Sequence, residues 1–495
     1  MNIKNILKNY ININNIPDIY ISGISYDLDN IKYGNAFFLI NNYKNSKINN
    51  LIDKLISKGV FIIIKEATNY INNGIFFFKN NILILLIYDL KKKISKISIE
   101  YYKKKNKNTN YNLIGITGTN GKTTISFFIC QLIKLLNKKP YIVSTLGNGN
   151  IDNLYKTEYT TDLPFKFFKN LYSSIDEYYD FIISEITSHS LDQYRINGAN
   201  FNICIFTNIS HDHLDYHKNI FNYKISKLKL FNDYYSKYNI VNYDDNLGKE
   251  IYNNFKEKTF IVTTKNISDF EINKFKFWLK LIYVIKKKKF NIIKISSNFG
   301  NGYFKTNIYQ NFNIKNILIS ISCLLLLGFN IFDILNVINY LKLPLGRFNT
   351  IKKNNFNIII DYAHTPESIY KLLFEIKKKY RLKKICSIFG FGGNRDSYKR
   401  IIIYNIILKF SDYFILTSDN SRNERFKNII NFVKKNNKIK IIYNRESAIK
   451  YSLNKYKNSV IVIIGKGHEN YQILYNNKKI FHSDLYIVKK YINND

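Results

Sequence analysis

Short apolar runs alternate with helix-like polar stretches in the first 88 residues. The apolar runs are Ala36–Ile40, Val60–Ile64 and Ile82–Ile87, and the helix-like stretch is Ile48–Lys58. A lysine-rich segment, residues 89–108, follows and is predicted to form a helix and a linker. Strands that alternate with helices indicate α/β structure. We therefore predict a small N-terminal α/β domain over residues 1–88, joined by this linker to the rest of the chain.

The next part of the chain has the pattern strand, glycine-rich loop, helix, strand. The apolar run Tyr111–Thr117 precedes the loop, the amphipathic stretch Ile125–Leu136 follows it, and Tyr141–Ser144 is the next apolar run. Further buried-strand runs occur at Phe181–Ser184 and Ile203–Thr207. This alternation predicts a mostly parallel sheet with helices on both faces, over residues 109–343.

A third α/β region is predicted after Leu343–Arg347, which has the composition of an interdomain connection. Five apolar runs alternate there with helical stretches; they are Asn357–Ile360, Lys384–Phe389, Tyr413–Thr417, Ile439–Ile442 and Val460–Ile464. The pattern predicts a doubly wound, Rossmann-like domain over residues 344–495. A length of 495 residues agrees with about three domains, so we predict an α/β protein of three domains.

The net charge of +39, from 75 basic and 36 acidic residues, raises the hypothesis of a nucleic-acid partner. We discount it, because Lys, Asn, Ile, Tyr and Phe dominate all parts of the chain, as mutational bias toward A+T-rich codons would produce. Clusters such as Lys286–Lys289 are then ordinary solvated surface. No nucleic-acid partner is expected, and the partners expected are small-molecule substrates of a monomer.

The cysteines and the apolar segments bear on the compartment. Four cysteines lie far apart among apolar neighbours, with no disulfide or metal pattern, which favours a reducing cytosol. The N-terminus has no continuous apolar core of a signal peptide. The most apolar run, Ile317–Phe329, is too short to span a bilayer. We expect a cytoplasmic protein without membrane insertion.

The glycine-rich loop, residues 115–124 (GITGTNGKTT), has the composition of a phosphate-binding loop that opens a helix. Glycines let backbone N–H groups surround phosphate oxygens, and the helix N-terminus adds partial positive charge. Lys122 would reach the terminal phosphates, and the Thr123 hydroxyl would ligate magnesium. The spacing is not a strict Walker A loop, and the alternative is a turn that binds no nucleotide. The strand–loop–helix context favours ATP.

Polar side chains follow two later strands of the same predicted sheet. Glu185 follows one strand, and His211, His213 and His217 follow another, although the whole chain has only 7 histidines. The carboxyl ends of parallel strands carry functional residues in such sheets. The histidines are either a chance surface cluster or metal ligands, and the nearby phosphate loop favours the second hypothesis. Magnesium prefers oxygen ligands, so an imidazole would indicate a second cation site.

The loop and several later segments together resemble the Mur ligase family, whose members form peptide bonds on cell-wall precursors with ATP. The matching segments include residues 118–124 (GTNGKTT), 185–195 (EITSHSLDQYR), 206–217 (FTNISHDHLDYH), 346–348 (GRF), 361–366 (DYAHTP), 419–422 (DNSR) and 465–469 (GKGHE). Folylpolyglutamate synthetases share the fold and a related loop, so the loop alone does not decide. The segments in register favour the Mur ligase that adds the third peptide residue.

The resemblance implies roles for individual residues of this sequence. ATP would be bound by Gly118, Thr119, Asn120, Gly121, Lys122, Thr123, Thr124, Asn316, Arg347, Asp361 and His364. UDP-muramoyl-dipeptide would be bound by Thr160, Thr161, Thr187, Gln193, Arg195 and Leu28. Diaminopimelate would be bound by Arg395, Asp419, Asn420, Ser421, Arg422, Gly465 and Glu469. Magnesium would be bound by Thr123, Glu185, His213 and Lys227, and Lys122, Lys227 and His213 would be catalytic.

Lys227 matches the lysine that becomes carbamylated in the family. A free ammonium would repel magnesium, whereas a carbamate supplies an oxygen anion. The alternative is an ordinary surface lysine, and only register favours Lys227 over Lys224 or Lys229.

The implied amino-acid site favours diaminopimelate over lysine. Arg422 can pair with the distal carboxylate of diaminopimelate and Glu469 with its ammonium group, whereas lysine has no such carboxylate. An isolated Asp-Asn-x-Arg turn is, however, equally common as a purely structural feature.

Two departures from the family pattern bear on this site. Ser421 replaces the proline usual in the family, which is expected to loosen the turn that aims Arg422. Near the N-terminus, Asp27-Leu28-Asp29 replaces a family Asp-Ser-Arg that helps to seat the uridine end.

The activity implied is an ATP-dependent carboxylate–amine ligase that adds meso-diaminopimelate to UDP-N-acetylmuramoyl-L-alanyl-D-glutamate in peptidoglycan synthesis. The reaction would pass through an acyl phosphate. The alternatives are a lysine-adding Mur ligase, a folylpolyglutamate synthetase-like enzyme, a basic nucleic-acid-dependent NTPase and a binding protein that has lost catalysis.

Overall fold

The computed structural model describes residues 1–40, 45–103, 111–353, 356–434 and 436–493. Three main sheets follow one another along the described chain, each covered by helices. The three-domain α/β prediction is therefore confirmed.

The N-terminal sheet has the strand order β1-β2-β3-β5-β4. Its elements are α1 (Lys4–Leu7), β1 (Gly23–Ser25), β2 (Asn35–Leu39), α2 (Asn45–Ser57), β3 (Ile62–Glu66), β4 (Phe76–Lys79), β5 (Ile82–Ile87) and α3 (Leu90–Lys103). The predicted strand Ile82–Ile87 has the bounds of β5. Helix α3, predicted as part of a linker, instead packs Leu90, Ile94 and Ile97 into the core of this sheet. The rest of the predicted linker, residues 104–108, lies outside the described residues.

The central sheet has the order β16-β15-β14-β13-β12-β11-β6-β10-β7-β8-β9 among the described residues. Its strands are β6 (Asn112–Thr117), β7 (Pro140–Ser144), β8 (Gly147–Asn150), β9 (Asn153–Tyr155), β10 (Phe181–Glu185), β11 (Phe201–Phe206), β12 (Ser236–Asn242), β13 (Thr259–Thr263), β14 (Phe277–Lys286), β15 (Asn291–Ser297) and β16 (Gly300–Thr306). The seven strands in the middle of this order, β14-β13-β12-β11-β6-β10-β7, pair in parallel, as predicted. Both edges carry antiparallel hairpins that the apolar pattern did not predict, because glycine and asparagine interrupt the apolar pattern in β8 and β16.

Helices cover both faces of the central sheet. They are α4 (Lys122–Leu135), α5 (Pro164–Asp176), α6 (Ser188–Asp192), α7 (Leu214–His217), α8 (Ile220–Asn232), α9 (Asn246–Asn254), α10 (Asp269–Ile272), α11 (Asn311–Leu326) and α12 (Ile331–Val337). Helices α4 and α11 build the core on one face, and α5, α8 and α9 build it on the other. The most apolar run of the sequence thus forms α11 and lies in this core. In the part of the chain that is described, no helix has the length and apolarity needed to cross a membrane.

The C-terminal sheet has the order β17-β18-β22-β19-β20-β21, and all its strand pairs except β17–β18 are parallel. Its elements are β17 (Asn349–Lys353), β18 (Phe356–Asp361), α13 (Pro366–Lys379), β19 (Ile385–Phe391), α14 (Ser397–Phe410), β20 (Tyr413–Ser418), α15 (Phe426–Ile429), β21 (Ile439–Ile441), α16 (Arg445–Lys455), β22 (Val460–Ile464), the hairpin β23 (Tyr471–Ile473) and β24 (Lys479–Phe481), and α17 (Asp484–Asn493). The carboxyl ends of β18, β19, β20 and β22 therefore meet at one edge.

Candidate active site

A cavity of about 870 Å³ lies between the central sheet and the C-terminal sheet. Its walls come from the phosphate loop, the segments that follow β10 and β11, helix α11, and the segments that follow β18 and β19. The side chains that the sequence analysis assigned to ATP, to magnesium and to the muramoyl substrate largely meet here. The carboxyl ends of strands from two sheets thus form one site.

The phosphate loop is held against the end of β11. Gly118 has φ of 145°, and a Cβ there would lie 1.9 Å from Thr207 Oγ1, so only glycine fits. The Asn120 N–H donates to Asn208 Oδ1 at 3.0 Å. Helix α4 begins at Lys122, three residues earlier than the apolar pattern predicted, because polar loop residues form its first turn.

Lys122 is directed back onto its own loop. Its ammonium donates to the carbonyl oxygens of Gly118 at 2.7 Å and Thr119 at 3.0 Å. Burial lowers the pKa of Lys122, although Glu185 and Asp212 oppose this shift. The carbonyls thus hold the ammonium at the place where the terminal phosphates of a nucleotide are expected.

Glu185 is fully buried at the end of β10, beside the start of α4. Its Oε2 accepts hydrogen bonds from Thr123 Oγ1 and Thr145 Oγ1, each at 3.1 Å, and its Oε1 accepts one from the Thr145 N–H. The predicted magnesium ligands Thr123 and Glu185 are therefore in contact. Arg347 of the C-terminal region donates to the same Thr123 hydroxyl at 3.1 Å.

The three clustered histidines have three different partners. His211 Nε2 lies 2.5 Å from Asp396 Oδ2, His217 Nε2 lies 3.0 Å from Ser188 Oγ, and His213 Nε2 lies 3.4 Å from Asp212 Oδ2. Of the three, only His213 lines the cavity, and burial lowers its pKa to about 3, so the ring is neutral and able to ligate a metal. Within the described ranges, no three His, Cys, Asp or Glu side chains are arranged to hold a metal ion. The hypothesis of a second cation site at these histidines therefore stays a prediction.

Lys227 projects from α8 into the cavity and is buried. Its Nζ donates to Gly118 O at 2.9 Å and lies 4.6 Å from the centre of the Tyr223 ring. Burial and the nearby Lys122 charge hold the pKa of Lys227 well below its usual range. The alternatives are on the surface of the helix, where Lys224 pairs with Glu250 and Lys229 with Asp192. Of these three lysines, only Lys227 faces the phosphate loop.

The residues expected to bind the muramoyl substrate form a second wall. Thr160, Thr161, Thr187 and Arg195 line the cavity. Gln193 lies behind it, where its Oε1 accepts hydrogen bonds from Arg195 Nε at 2.9 Å and Nη2 at 2.7 Å. Gln193 therefore orients Arg195.

Leu28 is not part of this cavity. It packs against the apolar cluster of the N-terminal sheet, and its backbone carbonyl accepts a hydrogen bond from Lys58. The structure does not bring this residue together with the other expected substrate ligands.

Four residues on the far wall of the cavity were expected to bind the nucleotide. They are Asn316, Arg347, Asp361 and His364, and all four line the cavity. The Asp361 carboxylate accepts hydrogen bonds from the Phe348 and Ala363 N–H groups, both at 2.7 Å. Burial raises the pKa of Asp361. Asp361 therefore fixes the two loops that carry Arg347 and His364.

The residues expected to bind the amino acid form a cluster beyond the cavity, at the ends of β20 and β22. Gly465, Asp419, Asn420 and Glu469 lie together there, whereas Arg395 lines the cavity itself. Arg422 has φ of 53° and donates through Nη1 to the carbonyls of Gly393 at 2.9 Å and Asn420 at 3.2 Å.

The expected loosening of the Arg422 turn by Ser421 is wrong. Ser421 is buried, and its N–H donates to Ile473 O at 2.7 Å. Proline has no N–H and could not make this bond. The turn is thus held by a hydrogen bond to β23.

Comparisons with known proteins decide the family. A model of the Mur ligase middle domain matches residues 116–324, and a model of the Mur ligase glutamate ligase domain matches residues 346–467. A protein of Wigglesworthia glossinidia brevipalpis, named UDP-N-acetylmuramoyl-L-alanyl-D-glutamate--2,6-diaminopimelate ligase, is 39% identical over 451 residues, which cover 89% of each chain. The chain belongs to the Mur ligase family.

Two further known proteins are similar to this Mur ligase over almost the whole chain. A protein of the same name from Buchnera aphidicola (strain Bp) is 37% identical over 480 residues, covering 96% of this chain and 94% of the relative. A solved structure of a UDP-N-acetylmuramoyl-L-alanyl-D-glutamate--2,6-diaminopimelate ligase aligns with a TM-score of 0.68 at 24% identity, covering 100% and 99% of the two chains. The structural similarity supports the fold alone.

The sequence analysis missed two charged residues of this Mur ligase site. Asp212 is buried, with its Oδ1 2.7 Å from Lys399 Nζ, and its pKa lies well below the usual range because its interactions with His213, His364 and Lys399 outweigh burial. Lys466 is buried between Asp419 and Glu469. In the sequence, only their positions could have indicated a role: Asp212 lies within the His-Asp-His segment, and Lys466 lies within the Gly-Lys-Gly segment.

Proposed function

We propose that this Mur ligase joins meso-diaminopimelate to UDP-N-acetylmuramoyl-L-alanyl-D-glutamate with ATP, in the synthesis of peptidoglycan precursors. The names of the relatives support this substrate pair. The observation that carries the proposal is the single cavity in which Lys122, Glu185 and Lys227 oppose Arg195 and Arg395. A phosphate loop, a metal-ligating carboxylate and arginines for anionic substrates are what such a ligase requires.

The reaction would take place in two steps. The substrate carboxylate attacks the γ-phosphorus of ATP, the bond to the bridging oxygen of ADP breaks, and an acyl phosphate forms. The amine of diaminopimelate then attacks the acyl carbon, the amine proton is lost and inorganic phosphate leaves. Lys122 would transfer its hydrogen bonds from the loop carbonyls to the moving phosphoryl group and stabilise its charge.

Magnesium fits the donors on one side of this cavity. Thr123 Oγ1 and the buried Glu185 carboxylate are oxygen donors in contact, and His213 offers a neutral ring nitrogen. When bound, the ion would neutralise phosphate charge. The hydrogen bond from Thr123 Oγ1 to Glu185 keeps both side chains directed toward the phosphate loop.

We propose that Lys227 carries a carbamate. Its neutral amine can add to carbon dioxide, forming a nitrogen–carbon bond and releasing a proton, because the low pKa leaves the nitrogen lone pair free. The product would place an oxygen anion near Gly118 and Lys122. Lys227 is buried and forms no ion pair with a carboxylate among the described residues, so its nitrogen is available for this reaction.

Closure of the C-terminal region over the phosphate loop would protect the acyl phosphate from water. Arg347 contacts Thr123, and Thr365 Oγ1 donates to Asn120 Oδ1 at 3.3 Å. Lys399 contacts Asp212 at 2.7 Å. These contacts hold the two regions together around the reacting atoms.

The arginines favour diaminopimelate over lysine, as expected from sequence. Arg395 and Arg422 interact electrostatically with each other, and a carboxylate placed between them would relieve this repulsion. Lysine has no distal carboxylate to supply.

The arrangement of the chain forms part of the proposal. We propose domains at residues 1–88, 109–343 and 344–495, with α3 packed on the first of them. We also propose that the protein acts as a monomer in the cytoplasm, where ATP and UDP-linked substrates are supplied.

The test is an assay of ADP release with ATP and UDP-muramoyl-dipeptide, with either meso-diaminopimelate or lysine added. We expect turnover with diaminopimelate and little with lysine. Equal kcat/KM for the two amino acids would refute the amino-acid assignment. Turnover stimulated by DNA, without any amino acid, would refute the ligase and favour a nucleic-acid-dependent NTPase.

A further inference from the structure

Lys466 is a fully buried lysine in the segment that joins β22 to β23. Gly465 and Gly467 flank it with φ of 111° and 52°, backbone conformations that let the chain turn sharply and direct the lysine inward. Its Nζ lies 2.8 Å from Glu469 Oε2 and 3.3 Å from Asp419 Oδ1. Asn420 Oδ1 is also within reach, at 3.4 Å.

Lys466 is charged despite its burial. The carboxylates of Asp419 and Glu469 raise the pKa of the ammonium and outweigh the effect of burial. Asp419, Glu469 and Lys466 together carry a net charge of about −1, and the Arg422 guanidinium also interacts with both carboxylates. The nearby buried Arg445 does not offset this charge, because Asp484 binds its guanidinium with two hydrogen bonds of 2.9 Å and 2.8 Å.

Each carboxylate directs one oxygen to Lys466. Asp419 Oδ1 also accepts the Asn420 N–H at 2.7 Å, and Glu469 Oε2 accepts from Asn420 Nδ2 at 3.4 Å. Among the described residues, Asp419 Oδ2 and Glu469 Oε1 accept no hydrogen bond. A Cβ at Gly465 would lie 3.5 Å from Asp419 Oδ2, so the glycine keeps that side of the carboxylate open.

We infer that Lys466 is a positioning residue for the incoming amino acid. It fixes one oxygen of Asp419 and one of Glu469, so that the second oxygen of each can receive an ammonium group of the substrate. The open oxygens of the two carboxylates favour a cationic group at this place. This inference rests on the proposed function, since it concerns the same amino acid.

The test compares Lys466→Met and Lys466→Arg with Lys280→Met. Lys280 is a matched control because it is also buried and paired with a carboxylate, Asp269, but lies far from the site in β14. We expect Lys466→Met to raise the KM for diaminopimelate at least about tenfold and to leave the KM for ATP within about twofold. The KM of Lys466→Arg for diaminopimelate should lie between the values for Lys466→Met and the wild type. Lys280→Met should change neither KM.

The pH profile separates positioning from general support of the fold. In the wild type, Lys466 and Arg445 hold the pKa of Asp419 below its usual range, so loss of the Lys466 ammonium should raise it. The acidic limb of kcat/KM for diaminopimelate should therefore move to higher pH in Lys466→Met, but not in Lys280→Met.

An unchanged KM for diaminopimelate in folded Lys466→Met would overturn the inference. If Lys466→Met does not fold, Lys466→Arg decides, since an unchanged KM in that variant would overturn it equally. If the wild type does not use diaminopimelate at all, the proposed function fails instead, so the two failures are distinguishable.

Discussion

Arg395, which follows β19, donates a hydrogen bond to Asp215, at the start of α7, with 2.9 Å between Nη1 and Oδ2. The pair joins the C-terminal region to the central region. Two further pairs lie beside it, His211 with Asp396 and Asp212 with Lys399. A five-residue segment of one region is thus paired with a five-residue segment of the other. The arginine expected to bind a substrate carboxylate already binds a carboxylate of the protein.

Replacement of Asp215 by Asn should therefore favour amino-acid binding. The substrate carboxylate would no longer compete with Asp215 for Arg395, and a half-exposed ion pair is worth about 0–1 kcal/mol. We expect the KM for diaminopimelate to fall about two- to fivefold, with the KM for ATP unchanged. Asp89→Asn, which breaks a surface pair with Lys92, is the control. A higher KM in Asp215→Asn would show that Asp215 assists binding.

Lys122→Met should abolish ligation and leave the fold intact. The variant loses the ammonium that donates to the carbonyls of both Gly118 and Thr119, and removal of one such electrostatic group typically costs about 10²–10³-fold in kcat. The measurement is kcat for ADP release, with circular dichroism to check folding. Lys134→Met removes a surface lysine of the same helix and should keep full activity. Near-native turnover in Lys122→Met would exclude the phosphate-loop assignment.

Lys227→Ala should be nearly inactive, and short carboxylic acids should restore part of the activity. An added carboxylate can supply the oxygen anion that the carbamate would have provided. The measurement is kcat with and without added acetate or formate. Lys224→Ala, on the exposed side of the same helix, should stay active and not respond to the acids. A crystal structure with magnesium and nucleotide in which Lys227 is unmodified and exposed would disprove the carbamate.

Gly346→Ala should destabilise the protein far more than Gly328→Ala. Both glycines have positive φ, 72° and 89°, for which alanine costs about 1–2 kcal/mol. A Cβ at Gly346 would also lie 2.3 Å from the backbone nitrogen of His468, whereas a Cβ at Gly328 would meet no atom within 4 Å. The clash should add about 1–3 kcal/mol and displace Arg347 from Thr123. Equal free energies of unfolding, measured in urea, would contradict this.

His468 should make the protein less stable in mild acid. Burial and the charge of Arg347 lower its pKa to about 3 in the folded state, against 6.5 in the unfolded chain. Between these values the unfolded state binds more protons, so the free energy of unfolding falls as the pH falls from about 6.5 toward 3. His468→Gln should flatten this part of the pH profile, measured by urea unfolding. An identical slope in the variant would assign the acid sensitivity to other groups.

Sequence patterns predicted the strands whose residues are buried on both faces. β5 and β22 have the predicted bounds, because uninterrupted apolar runs are typical of such strands. The hairpins β8–β9 and β14–β16 were missed, since their exposed faces carry polar residues and glycine.

The same limit applies to the site. The phosphate loop and Glu185 were found because they have a fixed place after a strand. The contact of Lys399 with Asp212 joins residues 187 positions apart, and no local pattern reports such a pair.

The position of Lys122 has a consequence for the design of inhibitors. Its ammonium is already coordinated by two carbonyl oxygens, so an anionic compound placed on the loop gains only the difference between its own contact and theirs. Adding negative charge to a phosphate mimic would therefore yield less affinity than a count of ion pairs suggests. Compounds that also engage Arg347 or the neighbouring wall of α11 would gain contacts without displacing that lysine.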